Sequence, residues 1–384
     1  MVKLVDTKDL IKNLRLILIS FVVGLLIVEI TARILTDFPK ISNNSNMVAD
    51  SNFGSKVSSS LEDVDELGFR NVNGKSDKFQ IAAIGDSHTY GYNVKSKDAW
   101  PYQLEEIIDV PIYNYGIGGL GIYSYHFLIK DALAKNKKVI LGLYLPNDLI
   151  YSGYVCSIDF NNFFWEKEVA RLKLNPPAEC GSFNSVNTTV DFLNVGLKNS
   201  ALLSMIYELI YIPIRRKQTA DKNKVDFYER FSPIKIDRLE AHKKLTDLEN
   251  PKVSSVFSDF KKMVNDWEQI SKDGALGIIL IPSRQLIYQS TLEQLDIAPE
   301  SVARLQFYTE NEILLGEQLL NLFRNLKIPA LSAKSNILEE FINDLPSKGV
   351  EQFYPDSGHP NVAGYKAYAK TAKEVYLEMK AMSE

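Results

Sequence analysis

Residues that bind metal ions are scarce in this sequence. Its 384 residues include only two cysteines and four histidines. No Cys-x-x-Cys pair and no His-x-x-x-His pair occurs, so the usual patterns of a dedicated zinc site are excluded. We therefore expect no metal ion and no other cofactor.

A strong excess of one charge is also absent. The formal net charge is −4 and no long basic run occurs, which argues against a nucleic-acid partner. Apolar residues make up 45% of the chain and charged residues 24%, values typical of a globular protein with a sizeable core. The length allows one large domain or two of ordinary size.

One long apolar run lies near the N-terminus, where residues 16–35 read LILISFVVGLLIVEITARIL. Twenty helical residues span roughly 30 Å, about the thickness of a bilayer core. Glu29 and Arg33 interrupt the run but lie on one helix face, where they can pair. The run predicts an uncleaved membrane anchor; a cleaved signal peptide and a buried soluble helix are the alternatives. Four basic residues precede it and favour a cytoplasmic N-terminus, namely Lys3, Lys8, Lys12 and Arg15.

The sequence accordingly predicts four segments: a cytoplasmic segment at 1–13, a transmembrane anchor at 14–36, a Ser- and Asn-rich tether at 37–60, and a folded domain at 61–384 outside the cytoplasm. Residues 150–255 interrupt the pattern of that domain and are expected to form an inserted helical subdomain or lid.

Both cysteines, Cys156 and Cys180, fall in the predicted insertion. An oxidising compartment would permit a disulfide between them. Two unpaired thiols are the alternative, and the spacing leaves both open.

Short apolar segments predict buried strands at 79–84, 111–116, 138–145, 275–282 and 328–331. Helical patterns alternate with them, near 98–108, 123–135, 256–271, 299–326 and 360–379. This alternation indicates an α/β fold with right-handed βαβ units and a mainly parallel five-stranded sheet in three α/β/α layers. Sites in such sheets form at the carboxyl ends of the strands.

Candidate reactive residues follow these strands. Ser87 follows the first strand, Gly119 the second and Asn147 the third, while Asp356 and His359 precede the last helix. A nucleophilic serine needs a base, a group that orients the base, and donors for the developing negative charge, and these residue types supply all of them. Each motif alone is also compatible with an ordinary turn or helix cap.

His359 is followed by Pro360, a residue suited to the first position of a helix. This pattern predicts His359 at a helix N-terminus, where the dipole disfavours the imidazolium ion and helps to keep the ring a neutral base. Asp356 is close enough in sequence to reach back to the ring and fix its tautomer.

Over residues 79–149 and 275–381 the sequence resembles the SGNH hydrolase superfamily, also called GDSL-like hydrolases. Four blocks carry the resemblance: Gly85-Asp86-Ser87, Asn114 with Gly119, Asn147-Asp148, and Asp356-x-x-His359. It implies that Ser87 is the nucleophile, His359 the general base and Asp356 its orienting acid. It also implies an oxyanion hole made by the Ser87 N–H, the Gly119 N–H and the Asn147 side chain.

Two positions depart from the family pattern. Pro146 replaces the glycine that usually precedes the Asn-Asp pair, and His88 stands where a hydrophobic residue is common. FRNVNG at 69–74 is similar to a segment of membrane-anchored bacterial members associated with surface polysaccharides.

The resemblance implies a serine esterase that removes acyl groups, mainly O-acetyl groups, from a carbohydrate or surface polysaccharide through an acyl-enzyme. An O-acetyltransferase using the same residues, with a membrane acyl-donor partner, is one alternative. A membrane-tethered glycan-binding protein without activity is another. The expected location is a bacterial inner membrane, with the catalytic domain facing the periplasm or the cell exterior.

Overall fold

The structure, a computed structural model, describes residues 7–35, 47–57, 63–71, 79–135, 137–149, 158–176, 200, 239–271, 274–294, 299–348, 353–355 and 358–384. Cys156, Cys180 and Asp356 lie outside these residues, so the predicted disulfide stays a prediction. The described residues belong to two compact units. The first contains helix α1 (Thr7–Leu35) and Ser200, and the second contains all the others.

In the first unit, α1 covers the apolar run near the N-terminus. The predicted pair on its surface is confirmed, because Arg33 Nε donates to Glu29 Oε1 over 2.8 Å. Large apolar side chains such as Leu16, Ile17 and Phe21 are exposed along the helix. Among the described residues, no helix reaches the combined length and apolar character of a membrane span. The anchor at 14–36 stays a prediction.

The second unit contains a two-stranded hairpin and a five-stranded sheet. The strands are β1 (Met47–Asp50), β2 (Gly54–Val57), β3 (Ile81–Gly85), β4 (Ile112–Gly116), β5 (Lys138–Tyr144), β6 (Leu276–Ile281) and β7 (Ala330–Ser332). The sheet has the order β4-β3-β5-β6-β7, and every pair in it is parallel. The predicted α/β class and mainly parallel sheet are therefore confirmed.

Helices connect and cover these strands. They are α2 (Ser87–Tyr90), α3 (Trp100–Ile108), α4 (Ile122–Ala134), α5 (Leu145–Asp148), α6 (Phe163–Leu172), α7 (Leu239–Leu245), α8 (Pro251–Ile270), α9 (Arg284–Gln294), α10 (Pro299–Asn325), α11 (Lys334–Lys348) and α12 (Val362–Ser383). Helices α6 and α7 and the start of α8 fall in the predicted insertion.

Both faces of the sheet are buried. Side chains alternate between the two faces along each strand, and helices pack on each face. Ile81 and Ala83 belong to a core that includes side chains of α3, α11 and α12. Ala82 and Ile84 point to the opposite face, where α4 packs on β3 and β5. Burial on both faces explains why these strands read as continuous apolar runs in the sequence.

Residues 47–57 correct the prediction of a tether at 37–60. They form the β1–β2 hairpin, whose register pairs Met47 with Val57. Phe53 is buried and stacks on Phe69 with ring centroids 5.6 Å apart. The Ser- and Asn-rich composition concealed this element because its stability comes from contacts with distant residues, which local propensity does not include.

Helix α9 was not predicted from the sequence. All residues from Arg284 to Thr291 are buried, although five of these eight are Arg, Gln, Ser or Thr. Because polar and apolar side chains are buried alike, no apolar stripe of helical period marks the segment in the sequence.

Arg70 and Asn71, the described polar residues of the FRNVNG segment, contact the end of α2 and the edge of the sheet. Arg70 is fully buried, and its guanidinium donates to the carbonyl oxygens of Gly91 and Val94 over 2.7 and 2.9 Å. Its Nε donates to Asp63 over 2.6 Å. Asn71 exchanges two hydrogen bonds with the backbone of Asn114 on edge strand β4, at 2.9 and 3.1 Å. Arg70 thus contacts the chain shortly after Ser87, and Asn71 contacts the strand that pairs with β3.

Candidate active site

Ser87 lies at the carboxyl edge of the sheet, two residues after the end of strand β3. Asp86 follows the strand and caps α2, accepting the His88 N–H with its side chain over 2.8 Å. Ser87 is the first residue of that helix, and its side chain is half-buried. The backbone N–H groups of a first helical turn have no partner within the helix, so the turn can offer donors to a reacting oxygen.

A row of three glycines allows α2 to lie directly on the sheet. Gly85 pairs in register with Gly116 on one side and with Gly142 on the other. A Cβ at Gly85 would come 2.1 Å from Thr89 Oγ1, and a Cβ at Gly116 would come 2.2 Å from the Tyr90 nitrogen. These distances leave no room for any side chain. The close approach of α2 to the sheet, and with it the place of Ser87, depends on this row.

His359 lies within hydrogen-bond distance of Ser87. Its Nε2 is 2.7 Å from Ser87 Oγ, although 272 residues separate the two in sequence. A hydroxyl at this distance can donate to an unprotonated Nε2, the geometry that general-base activation of a serine requires.

The prediction that Pro360 is the first residue of the last helix is wrong. Helix α12 begins at Val362, and Asn361 is its N-cap, accepting the Ala363 N–H over 3.0 Å. His359 therefore lies two residues before the cap. Asn361 takes the capping role because its side chain can accept a hydrogen bond and that of Pro360 cannot.

Asp356, the predicted orienting acid, lies outside the described residues. The described neighbours of the His359 ring include the rings of Tyr92 and His88, with centroid distances of 4.6 and 4.7 Å. The backbone oxygen of His359 accepts from Asn93 Nδ2 over 3.5 Å.

Asp86 contacts both Ser87 and Asn147. Its Oδ2 lies 3.3 Å from Ser87 Oγ and 3.3 Å from Asn147 Nδ2. Burial raises the pKa of the Asp86 carboxyl, and the His88 N–H and the charge of His359 only partly offset this effect. Asp86 was not predicted as a site residue from the sequence. Its position as an acid immediately before Ser87 was the available signal.

Asn147 lies on the short helix α5, which follows β5. One N–H of its amide is directed at Asp86, and the amide nitrogen carries a second N–H that can donate elsewhere. Asp148 fixes the turn, because its Oδ2 accepts the Tyr144 N–H over 2.8 Å. Burial, followed by the nearby charge of Asp86, raises the pKa of Asp148 well above its usual value.

Gly119 lies in the turn between β4 and α4, with φ at 79°. This left-handed conformation favours glycine. The turn follows the carboxyl end of β4, which neighbours that of β3, so Gly119 lies on the same edge of the sheet as Ser87. Its role as an oxyanion donor stays a prediction.

One group of possible metal ligands occurs among the described residues: His126 on α4, Glu168 on α6 and Asp266 on α8. Two cations already bind its carboxylates. Lys130 Nζ lies 3.0 Å from Glu168 and 3.1 Å from Asp266. Arg171 lies 2.5 Å from each of them. The charges of the group are thus balanced without a metal ion.

Both ring nitrogens of His126 are also engaged. Trp267 Nε1 donates to Nδ1 over 2.8 Å, so the other nitrogen carries the proton and donates to Glu168 over 2.9 Å. Burial lowers the pKa of His126, with partial compensation by Glu168, which agrees with a neutral ring. This cluster joins three helices and offers no free ligand nitrogen to a metal ion.

No protein-family model matches the chain, and no curated protein matches it. Among solved structures, the chain is similar to a G-D-S-L family protein from Desulfitobacterium hafniense DCB-2, with 15% sequence identity and a TM-score of 0.33. The similarity covers 77% of this chain and 98% of that chain. It is similar to a member of the lipolytic G-D-S-L family from Veillonella parvula DSM 2008, with 13% identity, coverages of 77% and 97%, and a TM-score of 0.34.

A third similar structure is an alpha/beta hydrolase enzyme from the metagenome of Lake Arreo, Spain, with 11% identity, coverages of 80% and 99%, and a TM-score of 0.33. TM-scores and identities of this size assign no activity to the present chain. Any function must therefore be argued from the contacts around Ser87.

Proposed function

We propose that this protein is a serine esterase of the SGNH type, which removes acyl groups, mainly O-acetyl groups, from a carbohydrate or surface polysaccharide. The observation that carries the proposal is the 2.7 Å distance between Ser87 Oγ and His359 Nε2. A serine and a histidine in this contact, at the carboxyl edge of a parallel sheet and next to backbone and amide donors, can carry out acyl transfer.

In the first step Ser87 Oγ attacks the carbonyl carbon of the ester, and its proton passes to His359 Nε2. The carbonyl oxygen becomes an oxyanion, which the second N–H of Asn147 and the backbone N–H groups of Ser87 and Gly119 stabilise. The imidazolium then protonates the leaving sugar oxygen as the carbon–oxygen bond breaks. Water, deprotonated by His359, attacks the acyl-enzyme and releases acetate and free Ser87.

The predicted location supports the proposal of a carbohydrate substrate. The basic residues before the apolar run predict a domain outside the cytoplasm, where acylated glycans occur. The segment FRNVNG, with its similarity to membrane-anchored bacterial proteins associated with surface polysaccharides, points to the same substrate class.

We also propose that residues 14–36 attach the protein to a bacterial inner membrane. The exposed apolar side chains of α1 support this proposal, because a water-exposed surface of this kind is unfavourable. Extraction of membranes with alkaline carbonate tests it. An anchored protein stays in the pellet, whereas a protein released into the supernatant contradicts the proposal.

The catalytic proposal is tested with a fluorophosphonate probe and with O-acetylated oligosaccharides. We expect the probe to label the protein covalently, the Ser87→Ala variant to remain unlabelled, and the wild-type protein alone to release acetate. Absence of labelling in a folded protein would contradict the proposal. Transfer of acetate to an added oligosaccharide, with no free acetate, would instead identify a transferase that uses the same serine.

A further inference from the structure

Two aromatic rings contact the proposed general base. The ring centroid of Tyr92 lies 4.6 Å from that of His359, with 39° between the planes. The ring of His88 lies 4.7 Å away, with 32° between the planes. His88 follows Ser87 in helix α2, and Tyr92 lies two residues after the end of that helix. The proposed nucleophile and the two neighbours of the proposed base therefore belong to one short stretch of the chain.

The His88 ring is held from several directions. It is 1% exposed, and its backbone N–H donates to Asp86 over 2.8 Å. Its ring packs on Tyr144 with centroids 3.9 Å apart, and its Nδ1 lies 3.2 Å from the Tyr368 hydroxyl. These contacts leave the ring little freedom to turn away from His359.

The Tyr368 hydroxyl also fixes the His88 ring. Burial raises the pKa of the Tyr368 phenol well above its usual value, so the hydroxyl keeps its proton at neutral pH. Its oxygen lies 3.2 Å from His88 Nδ1, and a hydroxyl can donate to that nitrogen or accept from it. Either hydrogen bond opposes rotation of the ring away from His359.

Tyr92 is fixed through its backbone. Its N–H donates to the Ser87 carbonyl over 3.2 Å, and its carbonyl accepts from the Tyr365 hydroxyl over 2.9 Å. A phenol ring within about 6 Å of a cation attracts it through its negative face. The imidazolium that forms at His359 during proton transfer is such a cation.

We propose that His88 and Tyr92 are positioning residues that keep the His359 imidazole aligned with the Ser87 hydroxyl and favour its protonated form during the reaction. The inference rests on the proposed function, since it concerns the first chemical step of that reaction. The Asp86 carboxyl also interacts electrostatically with His359, and the Tyr144 phenol lies on the neighbouring His88 ring.

The test compares full-length variants with p-nitrophenyl acetate as the substrate. Tyr92→Leu removes the ring, and we expect kcat to fall about 5- to 20-fold, within the range reported for contacts of a cation with a ring. KM should change less than about threefold, because the ring acts on the base and not on the substrate. His88→Leu should also lower kcat, whereas Tyr92→Phe keeps an aromatic face and should restore most of the rate.

The pH profile separates positioning from mere packing. If the Tyr92 ring favours the imidazolium ion, its loss lowers the pKa of His359, so the acidic limb of kcat/KM moves to lower pH in Tyr92→Leu and stays in place in Tyr92→Phe. Tyr376→Leu is the matched control, because Tyr376 is also half-buried but lies on α12 beside Lys138, at the opposite edge of the sheet. It should leave both kcat and the limb unchanged.

A Tyr92→Leu variant with the wild-type rate and pH limb would overturn the inference, as would a loss of rate equal to that of Tyr376→Leu. Failure of the proposed function is recognised separately, by a wild-type protein that neither hydrolyses the ester nor reacts with the fluorophosphonate. The ring contacts are then tested by NMR titration of His359, one of only four histidines. A lower His359 pKa in Tyr92→Leu supports them, and an unchanged value rejects them.

Discussion

Because α2 lies directly on the glycine row, we expect Gly116→Ala to displace this helix and lower the rate of ester hydrolysis. The added Cβ would lie 2.2 Å from the Tyr90 nitrogen and 2.4 Å from the Thr89 carbonyl carbon. Both are backbone atoms of α2, so no side-chain rotation can relieve the contact. Ordinary contact needs about 3.5 Å, so α2 must move by about 1.3 Å.

A movement of this size is expected to lower both the rate and the stability. Ser87 is the first residue of α2, and its Oγ would leave the 2.7 Å contact with His359 Nε2 for a separation of up to about 4 Å, beyond hydrogen-bond reach. Misplacement by about 1 Å can lower a rate about 100-fold, which corresponds to about 2.7 kcal/mol of activation free energy. Overpacking should lower the free energy of unfolding by about 1–3 kcal/mol.

The assay measures p-nitrophenyl acetate hydrolysis and fluorophosphonate labelling in parallel with chemical denaturation. Gly316→Ala is the matched control: its Cβ would lie 3.5 Å from Leu145 Cδ1, an ordinary contact, inside helix α10 where alanine is favoured by about 1 kcal/mol. We expect the control to keep the wild-type rate. If Gly116→Ala hydrolysed the ester within threefold of the wild-type rate, the role assigned to the glycine row would be refuted.

Three further predictions follow from other contacts. Asn147→Ala should lower kcat by about 10²- to 10³-fold with unchanged thermal stability, because one oxyanion donor is lost; a wild-type rate would remove Asn147 from the site. Arg70→Met should lower the free energy of unfolding in chemical denaturation by about 3–5 kcal/mol, since it leaves buried carbonyl oxygens and Asp63 without their cation; a loss below 1 kcal/mol would contradict this. Burial alone would raise the pKa of Glu168, but hydrogen bonds from His126, Arg171 and Lys130 hold it below its usual value. The stability that Glu168 contributes is therefore present above its unfolded pKa of about 4.3 and is lost as the pH falls below it, so Glu168→Gln should flatten the acid limb of stability measured by denaturation at a series of pH values.

Much of the fold could be predicted because the sheet is buried on both faces. Segment 79–84 was predicted as a strand where β3 covers Ile81–Gly85, and 138–145 was predicted where β5 covers Lys138–Tyr144. Continuous apolar runs between polar loops identify such strands without any knowledge of their partners. The order of motifs along a βαβ chain then identifies the edge of the sheet at which Ser87 is found.

What could not be predicted depends on contacts between distant residues. The hairpin of β1 and β2 is stabilised by the packing of Phe53 on Phe69. Helix α9 buries polar and apolar side chains alike, so no amphipathic pattern identifies it in the sequence. The glycine row could not be predicted from the sequence for the same reason. Gly85, Gly116 and Gly142 are separated by dozens of residues, and only the register of three strands brings them side by side.

Asp86 shows how such contacts change the interpretation of a motif. Read along the chain, it is the residue between a turn glycine and a nucleophile. In the folded protein its carboxylate lies within 3.3 Å of both the Ser87 hydroxyl and the Asn147 amide. A rotation of Asp86 would therefore disturb nucleophile and oxyanion donor together, and its cap on the His88 N–H, at 2.8 Å, opposes that rotation. In the proposed esterase, Asp86 would therefore act by keeping Ser87 and Asn147 in place, since its side chain is fully buried and its hydrogen bonds are already made within the site.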